Sequence, residues 1–255
     1  YVFTSAINLK EKTMKQFKIV LIAVFAPLFA SEAQTKGIND LDPVVEHKID
    51  SILELMTVKE KVGQMVQYNG SFDVTGAPSD IDSKTKLQKL KNGEVGSMLN
   101  VLTAEATREA QQVVMENSRL KIPLLFGYDV IHGYKTMFPV PLGESASWDL
   151  EAMELSASIA AKETAAAGVH WTFAPMIDVS RDARWGRIME GAGEDPYFNA
   201  VIGVARIKGF QGSHLADVNT IAACAKHFAG YGFAEAGRDY NTVNVGTSEL
   251  QNAIL

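Results

Sequence analysis

Apolar positions along this chain recur in two alternating rhythms. Val45, Ile49, Ile52, Leu53 and Met56 are spaced as one face of a helix, and Thr57-Val-Lys-Glu60 has the form of a capping box that opens a second, short helix. Gly63–Tyr68 then reads as a first strand, and Asn69–Asp82 as a loop rich in Gly, Ser, Pro and Asp. A short helix through Leu87 and Leu90 ends near Asn92-Gly93, and Val95–Val101 is a second strand. From there the alternation is regular. The pattern predicts a helix over Ala104–Ser118, a strand over Ile122–Tyr128, and a long alanine-rich helix over Asp149–Ala167 closed by Gly168 in the left-handed conformation. A strand over Val169–Pro175, a helix over Tyr197–Gln211 and a strand over Ile221–Ala225 follow, and Ser248-Glu-Leu-Gln251 has capping-box form again.

Strands that alternate with helices imply an α/β fold with a mostly parallel sheet. About five strand–helix units are present, whereas a closed eight-unit barrel takes about 250 residues of such units. The expected architecture is therefore an incomplete (β/α)8 TIM-like barrel, truncated at its C-terminal end. In such a fold the reacting groups sit on loops at the carboxyl ends of the strands.

Composition narrows the function. The chain has 255 residues, is 47% hydrophobic and carries a net charge of −6, with no basic run beyond its first two dozen residues. A basic face for phosphate is missing, so nucleic acid is excluded as a partner. The single cysteine, Cys224, lies in an apolar run and reads as a buried structural thiol.

The first methionine is Met14, followed by basic Lys15 and Lys18, an apolar run Ile19–Ala30 and small residues Ser31 and Ala33. This is the anatomy of a secretory signal peptide over 14–33, with 1–13 as an upstream, non-native segment, and the apolar run is short for a membrane span. No stable membrane anchor is expected. Without residues 1–33 the remainder, 34–255, is two charges more acidic than the whole. An exported, acidic, disulfide-free protein fits a bacterial periplasm or secreted space.

Three polar clusters stand at the ends of three apolar runs: GYDVIHG at Gly127–Gly133, RDARWGRIMEGAGEDP at Arg181–Pro196, and AKHFAGYG at Ala225–Gly232. They combine carboxylates, guanidinium, ammonium and imidazole, without metal-type spacing or a phosphate-binding glycine loop. No metal or cofactor is expected. Such a mixture suits a polyhydroxylated ligand, because each hydroxyl needs a charged or bidentate partner. Lys226-His227 directly after a strand, and Asp129 at the end of another, favour a site over a solvated face. His132 reads as a structural hydrogen-bonder near that site. Arg181, Asp182, Arg184, Glu190, Glu194 and Asp195 read mainly as a loop salt-bridge network, and Trp185 as packing rather than a sugar platform. His170 and Trp171 read as core or helix-facing, and Asp178 is open between loop structure and support of the site.

Taken together, KVGQMVQ, GSMLN, IPLLFGYDVIHG, FAPMIDVSRDARWGRIMEGAGEDP and AKHFAGYG resemble the N-terminal catalytic domain of glycoside hydrolase family 3, nearest to its periplasmic β-glucosidases. The resemblance runs from about Asp42 to Leu255. It implies that Asp129, Arg187, Lys226 and His227 bind the hydroxyls of a sugar, with Glu190 supporting them. It also implies an exo-acting retaining mechanism on a β-glucoside or small oligosaccharide. The nucleophilic aspartate and the acid/base are then expected beyond Leu255, the latter in a C-terminal domain of the same chain, so that no catalytic residue is assigned here and the fragment alone is expected to be inactive. KHFAGYG departs from the KHFPGHG of the family's β-N-acetylglucosaminidases and argues against that activity. β-Xylosidase, a sugar-binding relative without catalysis, and a truncated reading frame with no independent fold stay open.

Overall fold

A computed structural model describes residues 42–70 and 83–255. The expected upstream segment, the signal peptide and most of the loop at 69–82 lie outside the described residues. The described residues divide into two units, 42–55 and 56–255.

In the first unit, helix α1 (Pro43–Leu55) forms where the helical spacing predicts it, and none of its residues is buried. The side chain of Asp42 accepts the Val44 N–H at 2.9 Å and so satisfies one free donor of the first turn.

The second unit is built on a parallel sheet of four strands in the order β1 (Gln67–Asn69), β2 (Ser97–Leu99), β3 (Leu125–Tyr128) and β4 (Trp171–Thr172). Each pairs with the next in chain order, with Tyr68 opposite Met98, Met98 opposite Phe126 and Tyr128 opposite Thr172. The joining helices are α2 (Val58–Gln64), α3 (Ser83–Lys91), α4 (Ala104–Asn117), the short α5 (Pro141–Ser145), α6 (Leu150–Ala166) and α7 (Pro196–Gln211), followed by a three-residue turn α8 (Thr247–Glu249) that runs on into a π-helical turn at Leu250–Ile254.

The sequence over-extends some strands. The run expected as strand Gly63–Tyr68 is helical through Gln64, because the capping box at Thr57 is complete and propagates the helix. Arg119 and the cap itself hold the Glu60 carboxyl down to about 2. The strand expected at Ile221–Ala225 is a series of bridges beside β4: Trp171 pairs with Ala222, and Met176 with Lys226, both parallel. Pro175 explains the interruption. Its carbonyl accepts the Lys226 N–H at 3.1 Å, but it has no N–H to continue the ladder. Ser248 does not cap the final turn, whose preceding residue Gly246 offers no side chain.

Helix starts are well signalled. Thr103, Asp149 and Asp195 each accept a backbone N–H of the first turn of α4, α6 and α7. Gly168 has φ +82°, the left-handed conformation expected after the long helix.

Two apolar clusters hold the sheet to its helices. Val95, Met98, Val114, Leu124, Phe126 and Val169 form one; Val130, Ala157, Ala160, Ala161, Phe210 and Ile221 form the other. The alanines of α6 let α7 approach closely, to the point that a Cβ on Gly209 would lie 2.3 Å from the Glu154 carbonyl oxygen. This close packing keeps the carboxyl ends of β3 and β4, and the loops they carry, in register with one another. Among the described residues, no helix is long and apolar enough to cross a membrane.

Candidate functional site

Asp129 follows β3 directly, and its position one residue past Tyr128 projects it from the carboxyl end of the sheet. Lys226 stands at the end of the bridged segment beside β4, and its ammonium donates to Asp129 Oδ1 at 2.8 Å. Both side chains are largely enclosed, with 12% and 20% exposure for Lys226 and Asp129, yet both reach a cavity. That cavity has a volume of about 900 Å³ and is lined by Asp129, Arg187, Glu190, Lys226 and His227 together with Leu99, Ile131, Phe173 and Tyr240.

Arg187 precedes a 3₁₀ turn, Ile188–Glu190, which returns Glu190 to the same face. The guanidinium forms a two-pronged pair with Glu190, Nε to Oε1 and NH2 to Oε2, each at 2.7 Å. This pairing raises the Arg187 pKa and holds its plane in one orientation. The remaining prong, NH1, lies 3.5 Å from His227 Nε2.

His227 is anchored from behind. Asp178 Oδ2 accepts the His227 backbone N–H at 3.0 Å and lies 2.7 Å from its ring Nδ1. Tyr231 closes the far side, edge-on to the imidazole at 4.7 Å between centroids and 5.5 Å below the Arg187 guanidinium. Its hydroxyl donates to Asp239 Oδ1 at 2.5 Å, and that carboxylate also accepts Trp185 Nε1 at 3.0 Å. Burial, reinforced by Asp239, pushes the Tyr231 phenol up to about 12, so it remains a neutral donor.

All five residues singled out as a sugar clamp thus meet in one cavity. Asp178 resolves as support: its side chain is 1% exposed and holds His227. His132 Nδ1 contacts the Phe138 carbonyl at 3.0 Å, as expected of a structural hydrogen-bonder. Trp185, 1% exposed, is packing. The loop network is partly as read: Arg184 pairs with Asp182 and Arg181 approaches Glu249, while Asp195 serves as the cap of α7 instead.

Two expectations are corrected. Cys224 is exposed and lines the cavity rather than lying buried. Side chains alternate along an extended segment, so Cys224 shares the face of Lys226, while Ile221 and Ala223 pack toward the helices. His170 is likewise exposed, with Nδ1 accepting the Phe126 N–H at 3.0 Å, and Trp171 is half-buried against Gly127 and Phe173 rather than in the core. Tyr231 and Asp239 were not foreseen; a tyrosine and an aspartate in a glycine-rich loop carry no signal until folding brings them to Arg187 and Trp185.

An α/β sheet with charged donors and acceptors gathered at the carboxyl ends of its strands is the layout of an α/β-barrel enzyme. Residues 57–255 match the Glycosyl hydrolase family 3 N terminal domain, and the chain belongs to that family. It is 41% identical over 204 residues to the periplasmic β-glucosidase of Salmonella typhimurium, covering 80% of this chain and 26% of that protein. It is 31% identical over 217 residues to the lysosomal β-glucosidase of Dictyostelium discoideum, covering 75% and 26%. Among solved structures, the β-glucosidase from Listeria innocua in complex with isofagomine superposes with a TM-score of 0.75 at 40% identity, over 82% of this chain and 29% of that one. The chain thus spans about a quarter of the length of these curated relatives.

Proposed function

We propose that the protein is an exo-acting retaining β-glycosidase that releases terminal β-D-glucosyl residues, and that residues 57–255 supply the part that grips the sugar. The observation that carries this reading is the convergence of Asp129, Glu190, Lys226, Arg187 and His227 on one cavity. Two carboxylates, an ammonium, a guanidinium and an imidazole, each already oriented by a partner, offer acceptors and donors in the mixture that a pyranose ring needs. Several such contacts fix the ring and present its anomeric carbon for attack.

Retaining chemistry requires a nucleophilic carboxylate and an acid/base about 5–5.5 Å apart. In this reading both come from the protein beyond Leu255, and the grip described above orients the sugar toward them. Export to a bacterial periplasm accompanies the proposal, supported by the signal-like Met14–Ala33 and by similarity to a periplasmic relative.

A β-xylosidase is the second reading, favoured by 33% identity over 174 residues to a β-xylosidase of Formosa agariphila. The full-length protein assayed on aryl β-glucosides and aryl β-xylosides, with the anomer of the released sugar followed by NMR, decides between them. Preferential release of β-glucose with retention supports the proposal. A larger kcat/KM on xyloside moves it to the second reading, and binding of sugar without turnover makes the protein a lectin-like relative.

A further inference from the structure

We infer that Asp178 is a positioning residue that fixes the protonation pattern of His227, so that Nε2 keeps its single lone pair, which the long contact to Arg187 NH1 holds in the free protein and the hydrogen of one substrate hydroxyl takes over on binding. The inference rests on the sugar-binding reading above and adds to it a direction for one hydrogen bond. A neutral imidazole carries its proton on one nitrogen and accepts on the other, and the partner of the first nitrogen decides which. Asp178 Oδ2 receives the His227 backbone N–H at 3.0 Å and faces ring Nδ1 at 2.7 Å. A carboxylate has nothing to donate, so Nδ1 must carry the hydrogen.

The opposite side of the ring gives the same answer independently. Nε2 faces NH1 of Arg187 at 3.5 Å, and a guanidinium only donates. A hydrogen on Nε2 would set two donors against each other, whereas a lone pair there is complementary. The other charged and titratable groups around the ring do not change this. Tyr231 meets it edge-on and spends its hydroxyl on Asp239, Glu190 is occupied by the other two prongs of Arg187, and Lys226 turns away to Asp129. His227 is half-exposed to the cavity while Asp178 is 1% exposed, so substrate reaches the imidazole and never the carboxylate.

The four groups of the clamp then divide by polarity. Lys226 and Arg187 donate to sugar oxygens; Asp129 and His227 accept sugar hydrogens. A substrate hydroxyl at His227 has to donate, so fluorine, which can accept but not donate, should be as poor there as hydrogen.

The test uses the full-length protein with ¹⁵N-labelled histidine, in which the His227 signals are assigned by their loss in a His227→Gln variant. The ring nitrogens of His227 should show a protonated Nδ1 and an unprotonated Nε2 in the wild type. Asp178→Asn, which keeps an acceptor oxygen, should preserve that signature and bind glucose within about threefold of the wild type. Asp178→Ala should lose it and bind glucose roughly tenfold more weakly, the scale of one net hydrogen bond. Among deoxy and deoxyfluoro glucoses, one position should lose at least about tenfold with either replacement in the wild type, and that penalty should shrink in Asp178→Ala. A protonated Nε2 with unprotonated Nδ1 in the wild type overturns the inference, whatever the affinity. The predicted tautomer in a protein that binds no glucose or β-glucoside overturns instead the sugar-binding reading beneath it. If Asp178→Ala fails to fold, the wild-type and Asp178→Asn spectra still decide the tautomer.

Discussion

Two groups of ion pairs in this molecule use the same chemistry for opposite ends. At the carboxyl ends of the strands, Lys226–Asp129 and Arg187–Glu190 are partly exposed and open onto a cavity of about 900 Å³. Behind the loop that follows β3, Arg206 of α7 pairs with Glu144 of α5 and donates to the Ile131 carbonyl, with the two side chains only 4% and 9% exposed. Burial lowers the Arg206 pKa, and its Nε finds no partner among the described residues. What separates the two is access. A charge pair that a hydroxyl can reach exchanges its partners for a ligand's, whereas a sealed pair can only hold two helices and the Asp129 loop in one arrangement.

The contrast breaks at its strongest point if the reachable group is removed. Asp129→Ala in the full-length protein should lower kcat/KM on an aryl β-glucoside about a thousandfold while moving the Tm by no more than a few degrees. Near-normal kcat/KM would remove Asp129 from the site. Arg206→Met should do the reverse. It should cost about 3–5 kcal/mol in urea unfolding, because Glu144 is left charged and sealed, with kcat/KM per folded molecule within about threefold of the wild type. Pairing it with Glu144→Leu should recover much of that stability; if it does not, the bond to Ile131 rather than the ion pair is the support. Asp195→Ala sharpens the comparison at its small end. Asp195 is neither clamp nor sealed pair but the cap of α7, accepting the Phe198 N–H at 2.6 Å, and its loss should cost about 1 kcal/mol with unchanged kinetics.

Much of this was legible in the chain because the signals are local. The helix start at Thr57 is written in a short polar side chain that reaches the donor three residues on. Thr103, Asp149 and Asp195 cap α4, α6 and α7 in the same way, although the sequence reading placed Asp195 in a loop network and gave a cap to Ser248, which makes none. Of the residues that line the cavity, Asp129 and Lys226-His227 were legible because they sit just past apolar runs, where a parallel α/β fold keeps its ligand groups, whereas Arg187 and Glu190 were singled out only by the family resemblance. Strand lengths were less so. An apolar run records burial, not ladder hydrogen bonds, and Pro175 interrupts the pairing inside one such run. Cys224 was misread for a related reason: apolar neighbours do not say which face of the segment a residue takes.

The sequence by itself determined the alternation of helix and strand and the capping box at Thr57. Each of these depends on residues within a few positions of one another. Only the tertiary structure decided that Asp178 stands behind His227, that Tyr231 and Asp239 close the far side, and that Arg206 is sealed while Arg187 is open. The pairs Asp178–His227, Trp185–Asp239 and Arg206–Glu144 lie tens of residues apart along the chain. Hydrogen-bond direction, solvent access and charge pairing depend on distance in space, and the packing of α6 and α7 against the sheet is what sets it.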